Sequence, residues 1–160
     1  MSDPTPVTDP AEFARFGVTG GWSFAIRHRV RWSECDPYRH ANHRAYFEWF
    51  EEVRNQYLER LGLTFRPDLP GPVMAETNLR YRRPLAYGDE ILVTARTVRL
   101  GRTSLDMEYA AWRDGLVAEG RAALILIINE TGAKVPIWPD LRARIRDIEA
   151  AAGNTPQQRA

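Results

Sequence analysis

Between Ser33 and His43 the chain gathers Glu34, Cys35, Asp36, Tyr38, Arg39, His40, Asn42 and His43, its densest run of groups able to move protons or carry charge. Pro37 fixes φ directly after Asp36 and prevents regular continuation of a strand through this point. Asp36 therefore sits one loop ahead of a helical pattern that begins at Asn42. The first amides of a helix have no partner inside it. Those N–H groups, at the positive end of the helix dipole, can hold a developing oxyanion. A carboxylate facing the same spot can attack a carbonyl directly or activate a water.

The same residues admit other chemistry. Cys35, Asp36, His40 and His43 suggest zinc, but one cysteine and two loop histidines are thin beside the paired ligands of structural zinc sites, and no metal is expected. Cys35 as nucleophile with His40 as base is a second arrangement. Strand alternation would point Cys35 and Asp36 in opposite directions, so the two are not expected to act together. Asp-Pro ahead of a helix is also ordinary turn chemistry, and His40 could serve only to satisfy loop backbone groups.

The elements around this loop are legible from periodicity. Trp22–Trp32 alternates: Trp22, Phe24, Ile26, His28, Val30 and Trp32 share one parity and Arg27, Arg29 and Arg31 the other, as in a half-buried strand. Four later strands are expected at Val73–Arg82, Glu90–Leu100, Ser104–Arg113 and Leu116–Asn129, with Asp114-Gly115 as a two-residue hairpin turn. Ala122–Ile128 is apolar on both parities, which predicts a central strand buried on both faces. From Asn42 to Leu61 the residues Tyr46, Trp49, Phe50, Val53, Tyr57 and Leu61 recur at helical spacing, and Phe47 and Leu58 widen the stripe. Asn42 suits the N-cap and Gly62 the stop. A second amphipathic helix is expected at Pro139–Ala151, with Leu141, Ile145 and Ile148 on one face. One unusually apolar helix with one curved sheet suggests that the sheet wraps the helix.

At 160 residues the chain fits one domain. Its 44% hydrophobic residues suffice for a core, which excludes a disordered chain. Opposing totals of 22 basic and 21 acidic side chains argue against bulk attraction to nucleic acid. A basic, aromatic strip for RNA is also disfavoured, because the first strand's aromatics lie on the core parity. One cysteine excludes an internal disulfide, and a soluble, cytoplasmic protein without membrane insertion is expected. Residues 1–20 and 151–160 read as flexible or disordered ends around a domain at 21–150.

With these residues in place, Val30–Leu63 resembles the opening of hotdog-fold acyl-CoA thioesterases of the 4-hydroxybenzoyl-CoA thioesterase/YbgC type. Their pattern runs D-x-x-G-H-V-N-x-x-x-Y, then F-E-x-x-R. Asp36, His40, Asn42 and Tyr46 match it in spacing, followed by Phe50, Glu51 and Arg54. The segments Arg80–Pro84, Gly88-Asp89 and Gly101–Ser104 are similar to later parts of the family. The family's glycine is Arg39 here and its valine Ala41, and the resemblance then suggests a reshaped loop.

The resemblance implies an α+β hotdog fold and hydrolysis of an acyl-CoA thioester with no metal or organic cofactor. Asp36 would be the catalytic carboxylate, as nucleophile or general base. The amide of His43 would polarise the carbonyl, and His40 would orient the loop or bond near it. Asn42, Tyr46 and Ser104 fall at substrate-site positions, and Glu51 near the acyl pocket across a dimer interface. Arg102, Arg82 and Arg83 would meet the phosphates of coenzyme A. Relatives pair into dimers, often doubled to tetramers. Acyl carrier protein as the acyl donor, or an acyl-CoA-binding module without turnover, are the alternatives. The arginines give the ligand some support: six lie between Asn78 and Arg102 against only Asp89 and Glu90, although the whole chain is near neutral.

Overall fold

The computed structural model of the chain describes residue 7 and residues 9–158. Strands β1 (Phe24–Arg29), β2 (Gly71–Tyr81), β3 (Glu90–Leu100), β4 (Ser104–Trp112) and β5 (Leu116–Ile127) form one antiparallel sheet in the order β1-β3-β4-β5-β2. Helix α2 (His43–Arg60) lies in its concave face. This is the α+β hotdog arrangement. Register irregularities at Met74/Glu76 and Thr97/Arg99 bend the two long strands on which they fall.

The apolar stripe of α2 explains the wrapping. Tyr46, Trp49, Phe50, Val53, Tyr57 and Leu58 are all buried, and the sheet meets them with Ile91, Val93, Ala95, Met107, Tyr109, Ala122 and Leu124. Phe47, expected to widen the stripe, is 42% exposed because the sheet covers one side of the helix and not its whole circumference. The Asn42 side chain accepts the Arg44 N–H at 3.1 Å as the N-cap, and Gly62 takes a positive φ at the stop. Both residues of the Asp114-Gly115 turn also take positive φ, as a two-residue hairpin requires.

Helix α3 (Pro139–Ala151) packs Leu141 and Ile145 into the core. Its Glu149 is fully buried, with one oxygen accepting from the Tyr57 hydroxyl (2.7 Å), the Ser23 hydroxyl (2.8 Å) and the Thr97 amide (2.7 Å). The Asn154 side chain donates to its other oxygen at 2.9 Å. This one carboxylate ties the terminal helix to α2, β3 and the segment before β1.

Four expectations change. The first strand is shorter than Trp22–Trp32, because a 3-10 turn at Trp32–Glu34 rotates the chain after Val30. Trp32 is consequently 70% exposed and meets Tyr87 edge-on at 5.8 Å. In β5 the residues Ala122, Leu124 and Leu126 are buried, but Ala123, Ile125 and Ile127 are only half-buried, since no layer among the described residues fully covers the outer sheet face there. The strand is central, between β4 and β2. The ends, read as loose, carry structure. Helix α1 (Pro10–Arg15) and Val7 and Phe16 cover Ala25, Leu92, Ala110 and Trp112 on the outer face. At the other end Pro156 is buried and β6 (Gln157–Gln158) pairs with β3. Residues 1–6, 8, 159 and 160 lie outside the described residues.

Candidate active site

The Asp36 loop is a tight, self-bonded turn. The Asp36 N–H donates to the His40 carbonyl at 2.8 Å, and the Arg39 N–H to the Asp36 carbonyl at 2.9 Å. Carboxylate oxygen Oδ1 accepts from the Tyr38 amide (2.9 Å) and the His40 amide (3.1 Å). No group among the described residues donates to Oδ2. One oxygen is thus tethered and the other is free, and Asp36 lines an open cleft of about 420 Å³ together with His40, Ala41, His43, Tyr46, Tyr81, Arg82, Arg83 and Pro84. Arg39 takes φ +65°, the left-handed conformation its resembled glycine would supply. The loop thus carries an arginine at a backbone conformation that favours glycine.

The cleft's second wall is the start of α2. The His43 N–H has no intramolecular acceptor among the described residues, while the next amide is taken by the Asn42 cap. Tyr81, at the end of β2, donates its hydroxyl to the His43 carbonyl at 3.3 Å. Tyr46 lies between Trp49 and Tyr81, with ring centroids at 4.7 and 5.1 Å, and forms the floor. Burial, aided by the nearby Tyr81 and Asp89, pushes the Tyr46 hydroxyl up to about 12, so it remains a neutral donor.

Glu34 holds these walls in place. It is buried, and its Oε2 accepts the Arg31 N–H at 2.7 Å and meets His28 Nε2 at 2.9 Å. Its Oε1 accepts the Trp49 indole N–H at 3.0 Å. Its carbonyl accepts the Asn42 N–H at 2.7 Å. Burial alone would raise this carboxyl, but the bonds from Arg31, Trp49 and His28 together hold it below its ordinary value.

The remaining expected site residues separate into groups. Asn42 is engaged in capping α2 and bonding Glu34, so it positions the site and does not line the cleft. Arg83 has its guanidinium on the carbonyls of Arg113, Asp114, Gly115 and Leu116, where it clasps the β4–β5 turn. Arg82 pairs with Glu119. Ser104 pairs with Ile125 and Tyr81 with Ala118, so Ser104 and the adjacent Arg102 lie about 23 Å along β5 from the cleft. Arg102 is exposed with no carboxylate partner among the described residues. Glu51 is exposed two helical turns beyond His43 and meets Arg54 at 3.5 Å. Cys35 is half-buried and its thiol is pushed up by burial and by the carboxylates of Glu34 and Asp36, which disfavours a thiolate nucleophile. No group of three or more His, Cys, Asp or Glu side chains among the described residues is placed to hold a metal ion.

Residues 30–145 match the family model described as the thioesterase-like superfamily. The chain belongs to that superfamily. It is a thioester hydrolase, and the resemblance carried by Asp36, His40, Asn42 and Tyr46 is confirmed at the level of family and fold. A thioesterase-superfamily structure from Jannaschia sp. CCS1 is 30% identical with a TM-score of 0.81, covering 91% of this chain and 94% of that one. A thioesterase from Thermus thermophilus, solved with coenzyme A and zinc, is 32% identical with a TM-score of 0.73, covering 82% of this chain and 98% of that one. The Bacillus subtilis (strain 168) protein YsmA is 28% identical over 123 residues, 74% of this chain and 82% of its own length.

Two residues that build the candidate site lay outside the sequence-derived set, Glu34 and Tyr81. Glu34 stands three residues after Arg31 and bonds back to its amide, the acidic half of a capping-box pattern. Tyr81 shares the inward parity of Leu79, but only the curvature of β2 brings it over the start of α2.

Proposed function

We propose that this thioesterase hydrolyses an acyl-CoA to the free acid and CoA, with Asp36 as the catalytic carboxylate. One observation carries the reading: Asp36, with an unbonded Oδ2, and His43, with an unpaired N–H, line one cleft. The His43 amide, at the positive end of α2, would bond the thioester oxygen as negative charge develops there. As nucleophile, Oδ2 attacks the carbonyl carbon, the C–S bond breaks, CoA leaves as thiolate, and water hydrolyses the mixed anhydride. As general base, Asp36 takes a proton from the water that attacks, and that proton reaches the departing thiolate. Neither route needs a metal or an organic cofactor; CoA enters as part of the substrate. His40 would hold Asp36 through its amide and line the cleft with its ring, and Tyr46 would offer its hydroxyl to the acyl group.

Coenzyme A as carrier is supported by its presence in the Thermus thermophilus relative's structure. With Arg82 and Arg83 otherwise engaged, Arg102 is the expected phosphate contact whose guanidinium has no carboxylate partner among the described residues. A homodimer is supported by β2, an exposed edge strand of 11 residues whose unpaired backbone would accept antiparallel addition of a second copy. That pairing would bring Glu51 of one protomer toward the cleft of the other. A cytoplasmic setting suits the one free thiol. No helix among the described residues is long and apolar enough to cross a membrane.

The test is thiol release from acetyl-, decanoyl- and benzoyl-CoA by wild type and Asp36→Asn. A loss on the order of 100-fold or more in kcat is expected, since the carboxylate is lost while the cleft is kept. Undiminished turnover in Asp36→Asn would remove Asp36 from the chemistry. Turnover only with acyl groups on acyl carrier protein would replace CoA as the carrier. Label in the Asp36 peptide after a single turnover in heavy-oxygen water would establish the nucleophilic route, because only an Asp36 anhydride hydrolysed at the Asp36 carbon acquires it there. Light scattering reports the dimer.

A further inference from the structure

We infer that Glu34 is a positioning residue for thioester hydrolysis, setting the Asp36 loop against the N-terminus of α2. The inference rests on Asp36 being the catalytic carboxylate. The two halves of the site come from different elements. Asp36 belongs to the loop after β1, and the His43 amide belongs to the first turn of α2. Nothing in the turn's own hydrogen bonds sets the distance between them, because those bonds close between Asp36, Tyr38, Arg39 and His40.

Glu34 supplies the missing tie. It lies two residues before Asp36, and its groups reach every element that meets there: His28 in β1, Arg31 at the 3-10 turn, Trp49 in the body of α2 and Asn42 at its cap. Trp49 lies under the site with its ring tilted against both His28 (centroids 5.0 Å apart) and Tyr46 (4.7 Å), so the same bond locates the floor of the cleft. Both carboxylate oxygens accept from amide or indole N–H donors, so an ionised acid is the side chain that fits. A glutamine keeps the shape but turns one oxygen into an NH₂, which leaves either the Arg31 or the Trp49 N–H facing a donor. Glu34 does not line the cleft, so its effect on catalysis runs through geometry.

The experiment compares Glu34→Gln with Tyr57→Phe. Tyr57 belongs to the separate buried network around Glu149, near the far end of α2, and its loss weakens the fold without reaching the cleft. Glu34→Gln should lower kcat for the same acyl-CoA panel by about 10- to 100-fold, the effect of an ångström-scale misplacement, with a much smaller change in KM. Amide hydrogen exchange in peptides covering residues 35–43 should accelerate in Glu34→Gln and not in Tyr57→Phe. Should Glu34→Gln fail to fold, Trp49→Phe keeps an aromatic ring while removing one donor, and the same exchange and kcat changes are expected at smaller size. Wild-type kcat in the folded variant overturns the inference, as does an equal kcat loss in Tyr57→Phe at matched melting temperature. Full turnover in Asp36→Asn would defeat the Asp36 assignment separately, since the exchange of residues 35–43 reads Glu34's hold on the loop without reference to turnover.

Discussion

Replacing Arg39 by glycine should stabilise the protein. Arg39 holds φ +65° at the tip of the Asp36 turn, and its side chain is exposed with no hydrogen-bond or ion-pair partner among the described residues. A left-handed conformation costs an L-residue about 1–2 kcal/mol. Glycine relieves that cost but gains roughly 0.5–1 kcal/mol of extra freedom in the unfolded chain. The difference leaves a net stabilisation of about 0.5–1 kcal/mol, because no side-chain contact is lost. For a chain of this length that corresponds to a rise of about 1–4 °C in Tm. Urea unfolding should show a higher midpoint at unchanged slope. Arg39→Ala is the control: it removes the guanidinium, keeps Cβ, and should leave Tm nearly unchanged. A fall in Tm for Arg39→Gly, or an equal gain in Arg39→Ala, would show that backbone strain at this turn is not the source.

Alkaline pH should destabilise the fold over a defined window. Burial pushes Tyr46 and Tyr109 up to about 12, and pushes Tyr57, beside Glu149, well above its ordinary value of 10. Above pH 10 the unfolded chain releases these protons while the folded chain keeps them, so stability falls from about pH 10 to 12 by roughly 1.4 kcal/mol per pH unit for each tyrosine. Denaturation midpoints measured across that range, with Tyr46→Phe reducing the slope, check the sign and the cause. Gly120→Ala should also destabilise, because an added Cβ would lie 2.7 Å from the Asn78 carbonyl oxygen and 3.0 Å from Phe50 of α2. Forcing a methyl into this packed contact should cost on the order of 1–3 kcal/mol, read by chemical denaturation.

The fold was largely legible because its periods are clean. The helical stripe from Tyr46 to Tyr57, the alternation of the strands and the Asp114-Gly115 turn each have local causes, so β3 begins and ends where alternation predicts. What escaped was set by covering layers. Trp32 and Phe47 obey the local pattern yet are exposed, because the strand ends before one and the sheet stops short of the other. The polar terminal segments looked unstructured, but Val7, Phe16 and Pro156 reach apolar surface that no neighbouring residue reveals. The site shows the same division. Asp36, His40, His43 and Tyr46 share one local pattern and do meet in one cleft. Arg82 and Arg83 stand out by charge, and charge alone says nothing of Glu119 or the β4–β5 turn carbonyls that occupy them.

The sequence by itself determined that an acid stands one turn ahead of a capped helix and that an antiparallel sheet encloses that helix. Both follow from residue types at short spacing, where backbone geometry leaves few choices. Tertiary structure alone decided that the Trp49 indole meets Glu34, that Tyr81 closes over the His43 carbonyl, and that Arg82 and Arg83 are engaged elsewhere. Glu34 and Tyr81 are placed by contacts between elements far apart in the chain, and a buried carboxylate reveals its role only when its donors have arrived around it.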